Sequence, residues 1–141
     1  MDNQCLLKID DFYFSSIEFK NKRILGETKI GFIFDIKTNN IEDKIEKIVT
    51  TEVTSEDRGL FLKIVTVGKF HLEGAEEAEI EKHILKYNTI SIMMPYIRSQ
   101  VSLITTQPGL NQPFMIPPLN IIQLVDSLEA KTTKDIPGGT D

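Results

Sequence analysis

The sequence has no tryptophan, one cysteine and two histidines among its 141 residues. Cys5 has no partner for an internal disulfide, so a small scaffold stapled by disulfides is excluded. His71 and His83 have no cysteine or aspartate at ligand spacing and therefore predict no zinc site. Stability must come from a hydrophobic core, which a chain of this length is able to bury.

Basic runs and long apolar runs are missing as well. The formal net charge is −5, so we expect neither nucleic acid nor an anionic membrane as the main partner. No uninterrupted apolar stretch reaches the length of a bilayer, and the start MDNQ lacks the pattern of a signal peptide. We expect one cytoplasmic domain over residues 1–130 and a disordered tail over residues 131–141.

Catalytic motifs are also missing. The chain has no glycine-rich phosphate loop, no paired metal-ligand spacing and no nucleophile motif, so we expect neither an enzyme nor a cofactor. The acidic run from Glu73 to Glu81 is typical of a solvated face with at most a short helical turn. An enzyme or small-ligand protein stays open as an alternative, which a deep polar pocket would favour.

The first two thirds of the chain has the composition and alternation of β-strands. A change of parity in the first strand predicts a bulge or bend, and Thr38–Asn40 predicts a turn after the second. The fourth strand is apolar on both faces, so it must be central or must meet another subunit. The predicted strands are Cys5 to Phe19, Thr28 to Lys37, Ile45 to Val53 and Leu60 to Leu72.

The period changes to that of a helix after Asn88. Apolar residues recur three and four positions apart, at Ile90, Met94, Ile97, Val101 and Ile104. Pro95 predicts a kink or a helix start, and Pro108-Gly109 predicts the end of the element. A second helix is predicted from Leu119 to Ala130 with Asn120 as its N-cap.

The order of these elements, strands first and helices last, indicates the α+β class. Short loops between the strands favour antiparallel neighbours. We therefore expect a four-stranded antiparallel sheet followed by two C-terminal helices packed on one face.

The segment between the two helices, TTQPGLNQPFMIPPLN, holds four of the six prolines beside several large apolar residues. Proline fixes the backbone and removes a hydrogen-bond donor, so this crossover is neither a central strand nor a helix interior. One hypothesis is that Phe114, Met115 and Ile116 fold back onto the domain's own sheet. The other is that they line an exposed groove that binds apolar segments of other chains.

Three segments, in their order along the chain, carry a resemblance to a known family. The stretch MMPYIRSQVSLITT, the proline-rich crossover and PPLNIIQL resemble the SecB family of export chaperones, over roughly residues 5–130. The resemblance implies a dimer or a dimer of dimers (a homotetramer) that holds newly made proteins unfolded without ATP. In protein export, the SecB family passes these clients to the SecA motor. The matching positions are Pro95, Tyr96, Arg98, Ser102, Leu103, Pro118 and Asn120.

The resemblance also assigns candidate sites. Ile97, Val101 and Ile104 are expected to pack on the sheet instead of facing a client. The predicted client-binding residues are Leu110, Phe114, Met115 and Ile116 in the crossover, followed by Ile90, Met93 and Met94 near the helix start.

The family's SecA-facing surface falls at Ser16, Lys20, Leu62 and Ile64 in this chain. Only the apolar Leu62 matches, and the family's carboxylates are missing, which argues against the usual docking of SecA. The second hypothesis is therefore an interaction protein on the same fold. Such a protein would serve one dedicated partner, for example an antitoxin-type client, without SecA.

Overall fold

One antiparallel sheet of four strands forms the body of the protein. The computed structural model describes residues 5–22, 29–55, 59–74, 76–107 and 113–135. The sheet has the order β1-β4-β3-β2, so β4 is central, as its apolar residues on both faces predict. The strands are β1 (Leu6–Asn21), β2 (Gly31–Ile41), β3 (Lys44–Ser55) and β4 (Leu60–Glu73).

The pairing of β1 with β4 is irregular. Its register shifts between Ile9 and Asp11 and again between Phe14 and Ser16, which confirms the bulge predicted from the change of parity. The pairing of β2 with β3, by contrast, runs without a shift from Gly31 to the end of the strand.

The turn predicted at Thr38–Asn40 is wrong. These residues continue β2, and the Asn39 side-chain amide donates a hydrogen bond of 2.9 Å to the Glu46 carboxylate on β3. The chain reverses instead at Glu42 and Asp43, where Glu42 adopts a φ of 55°. Asparagine is common in turns, but the cross-strand partner of Asn39 keeps this residue paired between β2 and β3.

The helical part begins earlier than the sequence predicts. The long helix runs through Pro95 without starting there, and it ends before Pro108 and Gly109, which lie outside the described residues. The acidic bridge supplies its own short helix. The helices are α1 (Ala78–His83), a π-helical segment (Ile84–Asn88), α2 (Thr89–Ile104) and α3 (Ile121–Asp135).

Helix α2 packs on β3 and β4, and α3 packs against β2, so both helices cover the same face of the sheet. The apolar stripe of α2 enters the core beside the alternate side chains of the central strands. Completely buried core residues include Val49, Val53, Leu62, Ile64, Phe70, Ile97 and Val101. This architecture is the predicted α+β fold.

Helix α3 begins at Ile121, two residues after the predicted start at Leu119, and it ends later than predicted. The Asn120 side-chain oxygen accepts a hydrogen bond of 3.0 Å from the Gln123 N–H, which confirms Asn120 as the N-cap. The helix continues to Asp135, so residues 131–135 are helical where the sequence predicts a disordered tail. Residues 136–141 lie outside the described residues.

Polar contacts hold α3 to the π-helical segment. The Tyr87 hydroxyl donates a hydrogen bond of 2.6 Å to the Asp126 carboxylate, and Lys86 lies 2.9 Å from the Glu129 carboxylate. The contact with Glu129 raises the pKa of Lys86, and the bond to Asp126 raises the pKa of Tyr87. These contacts join α3 to the segment that precedes α2.

Candidate functional site

A concavity lies on the side of α2 that faces the crossover. Its larger recess has a volume of about 500 Å³ and an apolar wall formed by Met115 and Ile116 of the crossover. The residues that α2 and the turn after it contribute are Pro95, Arg98, Ser99, Ser102, Leu103 and Thr106. These positions are three or four apart in sequence and therefore share one face of the helix.

A smaller recess of about 150 Å³ continues the same face toward the start of α2. It is lined by Ser91 and Met94 of α2, by Leu119 at the end of the crossover and by Ile121 at the start of α3. Pro95 and Arg98 border both recesses, so we treat the two as one groove along α2 and call it the α2 groove.

Two hydrogen bonds tie the crossover to α2. The Arg98 Nε donates to the Ile116 carbonyl at 3.1 Å, in the middle of the groove. The buried Thr105 hydroxyl accepts from the Phe114 N–H at 2.7 Å and donates to the Val101 carbonyl at 2.7 Å. These side chains satisfy backbone groups that the proline-rich segment cannot pair with one another.

The crossover alternates between core and solvent. Phe114 and Ile116 retain 4% and 1% exposure, whereas Met115 between them is 66% exposed. The expectation that Phe114 and Ile116 are exposed for client contact is therefore wrong, because both side chains join the domain's own core. Exposure of Met115 is confirmed. Leu110 lies outside the described residues.

The predicted contacts near the start of α2 are buried too. Ile90 and Met93 are completely buried and Met94 is 3% exposed, so the expectation of an exposed client-binding surface there is wrong. They belong to the stripe that α2 packs against the sheet. Burial of Ile97 and Val101 on the same stripe is confirmed.

The client-binding residues predicted from sequence did not include two exposed side chains of α2. Leu103 is 66% exposed on the wall of the larger recess, and Tyr96 is 56% exposed with its ring 5.0 Å from that of Phe12. Both side chains lie outside the apolar stripe of the helix. An apolar side chain on the otherwise polar side of an amphipathic helix was the signal that could have identified them.

The four positions assigned to a SecA-facing surface do not share a face. Ser16 and Lys20 are exposed on the side of the sheet away from the helices. Leu62 and Ile64 are completely buried under the helices and cannot belong to that surface. The residues of β4 that pair with Ser16 and Lys20 are Val65 and Phe61.

The histidines have local partners. The two ring nitrogens of His71 lie 2.9 Å from the Asp10 carboxylate and 3.2 Å from the Glu73 carboxylate. The hydrogen bond to Asp10, followed by that to Glu73, raises the pKa of His71. The His83 ring contacts the Tyr87 ring at 4.7 Å. Across the described ranges, no group of three histidine, cysteine, aspartate or glutamate side chains could hold a metal ion.

A four-stranded antiparallel sheet with a long helix and a C-terminal helix on one face is a SecB-like fold. The chain belongs to the SecB family: the family model described as preprotein translocase subunit SecB matches residues 3–131. No curated protein matches the chain.

Among its described helices, none combines the length and apolar character needed to cross a membrane.

Several solved structures resemble the fold, among them the following two. One is the Mycobacterium tuberculosis Rv1957 SecB-like chaperone in complex with a ChAD peptide from the Rv1956 HigA1 antitoxin, with 13% identity and a TM-score of 0.65. That match covers 80% of this chain and 90% of the other. The second is a protein of unknown function from Streptococcus agalactiae, with 8% identity and a TM-score of 0.54 over 82% of this chain and 99% of the other.

Proposed function

We propose that the protein is a chaperone of the holdase type, which binds unfolded or export-bound polypeptides without ATP and without catalysis. Membership of the SecB family supports this role, and so does the peptide in complex with the Mycobacterium tuberculosis SecB-like chaperone. A holdase acts by mass action: binding the unfolded chain lowers the population that is free to aggregate or fold.

The observation that carries the proposal is the alternation within the crossover. Phe114 and Ile116 anchor the segment in the core, and the backbone bonds to Thr105 and Arg98 fix it there. Met115 is thereby held out over a groove, and a flexible thioether adapts to apolar partners of different shape. With Leu103 on the opposite wall, the α2 groove presents two large apolar side chains that are each 66% exposed.

We further propose a cytoplasmic homo-oligomer, a dimer or a dimer of dimers, as its working form. Several grooves on one particle would act on one client at a high effective concentration, so each contact can be weak. Exposed Tyr96 on α2 and the exposed apolar residues of edge strand β1 offer surface that assembly would cover. SecA is a weaker candidate as a partner, since Lys20 stands where the family's docking surface has a carboxylate.

A dedicated partner is the second candidate function. It is favoured by the antitoxin peptide in complex with the similar Mycobacterium tuberculosis chaperone and by the altered residues at the docking positions. In this case the α2 groove would bind one specific segment of one protein. Affinity capture distinguishes the two: a broad set of unfolded chains supports the holdase, and one stoichiometric protein supports the dedicated partner.

The proposal is tested by light scattering of a chemically denatured client diluted into buffer with the purified protein. We expect the wild type to suppress aggregation and the double variant Leu103→Gln with Met115→Gln to lose most of this activity. The matched control is Ile33→Gln with Ile41→Gln, which removes two apolar side chains of 56% and 51% exposure from β2. Equal suppression by both double variants would place client binding outside the α2 groove.

A further inference from the structure

The His71 ring joins the edge strand β1 to the central strand β4 near one end of the sheet. It lies on the face away from α2 and α3, because its neighbour Phe70 is completely buried in the core on the helix side. The ring Nδ1 lies 2.9 Å from the Asp10 carboxylate of β1, and Nε2 lies 3.2 Å from the Glu73 carboxylate of β4. The ring therefore lies between two carboxylates, and its contact with Asp10 crosses from one strand to the next.

Asp10 is the extra residue of a β-bulge. The register of β1 on β4 is regular from Leu6 to Ile9 and shifts between Ile9 and Asp11. The backbone of a bulged residue is left out of the ladder, so the ladder is weakest at this point. The Asp10 side chain contacts His71 across the interruption. This contact supports the segment Leu6–Ile9, which the bulge separates from the rest of β1.

Only the protonated ring can donate to both carboxylates. An ionised carboxylate accepts hydrogen bonds and donates none, whereas a neutral imidazole has one N–H and one lone pair. The imidazolium donates to Asp10 and to Glu73, and both hydrogen bonds are charge-assisted. In the neutral ring, one carboxylate faces a lone pair and the remaining bond lacks the positive charge.

The contact with Asp10 is the better shielded of the two. The side chains of His71 and Asp10 are 24% and 22% exposed, whereas that of Glu73 is 56% exposed. Water and salt weaken a partly covered pair of charges less than an exposed pair. In agreement with this, the hydrogen bond to Asp10 is the first cause of the raised pKa of His71, and the bond to Glu73 is the second.

Other charged side chains share this part of the face. Lys44 lies 3.9 Å from the Asp10 carboxylate, but it is exposed and the distance is too long for a hydrogen bond, so it does not replace the ring. The charged residues around His71 are Lys8 and Asp11 on β1, Lys44 and Glu46 on β3, and Lys69 on β4.

We infer that His71 is a proton-operated latch, in which the imidazolium fastens the Leu6–Ile9 end of β1 to β4 and the neutral ring releases it. In the described part of the chain, β4 is the one strand that pairs with β1, so no second neighbour holds this end. Leu6 and Ile9 have apolar side chains that are about half exposed. The latch therefore controls how this apolar part of the edge is presented to another molecule, whatever binds in the α2 groove.

The direction of the pH response follows from the raised pKa. The folded state binds the proton more tightly than the unfolded state, whose histidine has the ordinary value of 6.5. The latch is therefore closed below about pH 6.5 and opens as the pH rises through the pKa of the folded state.

The test is amide hydrogen exchange of the full-length protein at about pH 5.5 and about pH 8.5, with each rate divided by its intrinsic value. We expect the protection of residues 6–9 to fall roughly fivefold at the higher pH, because a charge-assisted hydrogen bond becomes a weaker one or is lost. Urea at a non-denaturing concentration should leave this protection unchanged, since a local opening exposes little surface.

An NMR titration of the ring connects the exchange to the proton. His83→Gln leaves His71 as the single histidine, so the ring signals are assigned without ambiguity. The titration midpoint should lie above the ordinary value of 6.5, and the protection of residues 6–9 should fall over the same pH range.

Two carboxylate variants assign the effect to the contact between strands. Asp10→Asn removes the charge on β1 with little change of shape and should abolish most of the pH dependence of protection. Glu73→Gln is the matched control, because it removes the carboxylate that lies on the same strand as the ring, and it should keep the fall in protection. His71→Gln should show low protection of residues 6–9 at both pH values.

Three results would overturn the latch. The first is a His71 ring that titrates while residues 6–9 keep their protection in the wild type. The second is a urea dependence at residues 6–9 equal to that of the slowest amides, because the proton would then act through unfolding of the whole domain. The third is an equal loss of pH dependence in Asp10→Asn and Glu73→Gln, which would exclude the cross-strand bond as the cause.

Discussion

The Thr105 hydroxyl and the Phe114 backbone N–H form a hydrogen bond of 2.7 Å that is completely buried at the end of α2. This bond joins the last turn of the helix to the crossover, and it fixes which crossover side chains point inward. The position of Met115 over the α2 groove follows from it, because the neighbouring residue in an extended segment points the opposite way.

Replacing Thr105 by valine should lower the free energy of unfolding by about 1–3 kcal/mol, because the Phe114 N–H would remain buried without an acceptor. Urea denaturation measures this loss. Thr106→Val is the matched control, since the Thr106 hydroxyl donates to the Ser102 carbonyl at 2.8 Å in an exposed position. A loss in the control as large as in Thr105→Val would contradict the role given to the buried bond.

Truncation of two neighbouring crossover residues should change the free energy of unfolding by very different amounts. Ile116→Ala should cost about 2–5 kcal/mol of unfolding free energy, because a completely buried side chain leaves a cavity. Met115→Ala should change stability by no more than about 0.5 kcal/mol, since its side chain is 66% exposed. Chemical denaturation of both variants checks the pair, and a stable Ile116→Ala would show that the inward anchor is absent.

His71 should make stability depend on pH. Its pKa is raised above the ordinary value of 6.5, first by the hydrogen bond to Asp10 and then by the bond to Glu73. The folded state therefore binds the proton more tightly than the unfolded state. The stabilisation is fully present below about pH 6.5 and is lost as the pH rises through the folded pKa.

Thermal unfolding of His71→Gln across this range should show a flatter pH profile than that of the wild type. A pH profile of His71→Gln as steep as that of the wild type would contradict the role given to His71.

Gly68 should tolerate no side chain. A Cβ at this position would lie 2.8 Å from the Phe70 ring and 3.1 Å from the Met93 sulfur, both of which are completely buried. Gly68→Ala should therefore destabilise the protein by about 1–3 kcal/mol through overpacking between β4 and α2. Gly31→Ala, where the nearest atom is the Thr54 hydroxyl at 3.3 Å, should cost less in the same urea assay.

Patterns that repeat over many residues predicted the fold well. The alternation of β3, the doubled apolar faces of β4 and the stripe of α2 each report a face that must be buried, and all three agree with the structure. Asn120 was also predictable as an N-cap, because its side chain acts on the backbone only three residues away.

Features decided by single contacts were beyond the sequence. The turn could not be placed because Asn39 has a partner on β3 and Glu42 accepts a positive φ without the usual turn residue. Leu62 and Ile64 were assigned to the SecA-facing surface together with Ser16, but they are completely buried. Which face a strand residue occupies depends on the register, because a slip of one residue moves every side chain to the other side. In the same way, the bond between Thr105 and Phe114 decides which crossover side chains face the core and which face solvent.

The central claim is that unfolded polypeptide binds in the α2 groove through Met115 and Leu103. The most direct test measures the equilibrium dissociation constant for a permanently unfolded, fluorescently labelled client. Leu103→Gln with Met115→Gln should weaken binding at least tenfold, taking roughly 1.4 kcal/mol per factor of ten. Ile33→Gln with Ile41→Gln should bind as the wild type does. Undiminished affinity in the Leu103 and Met115 variant, with its fold intact, would show that clients bind elsewhere.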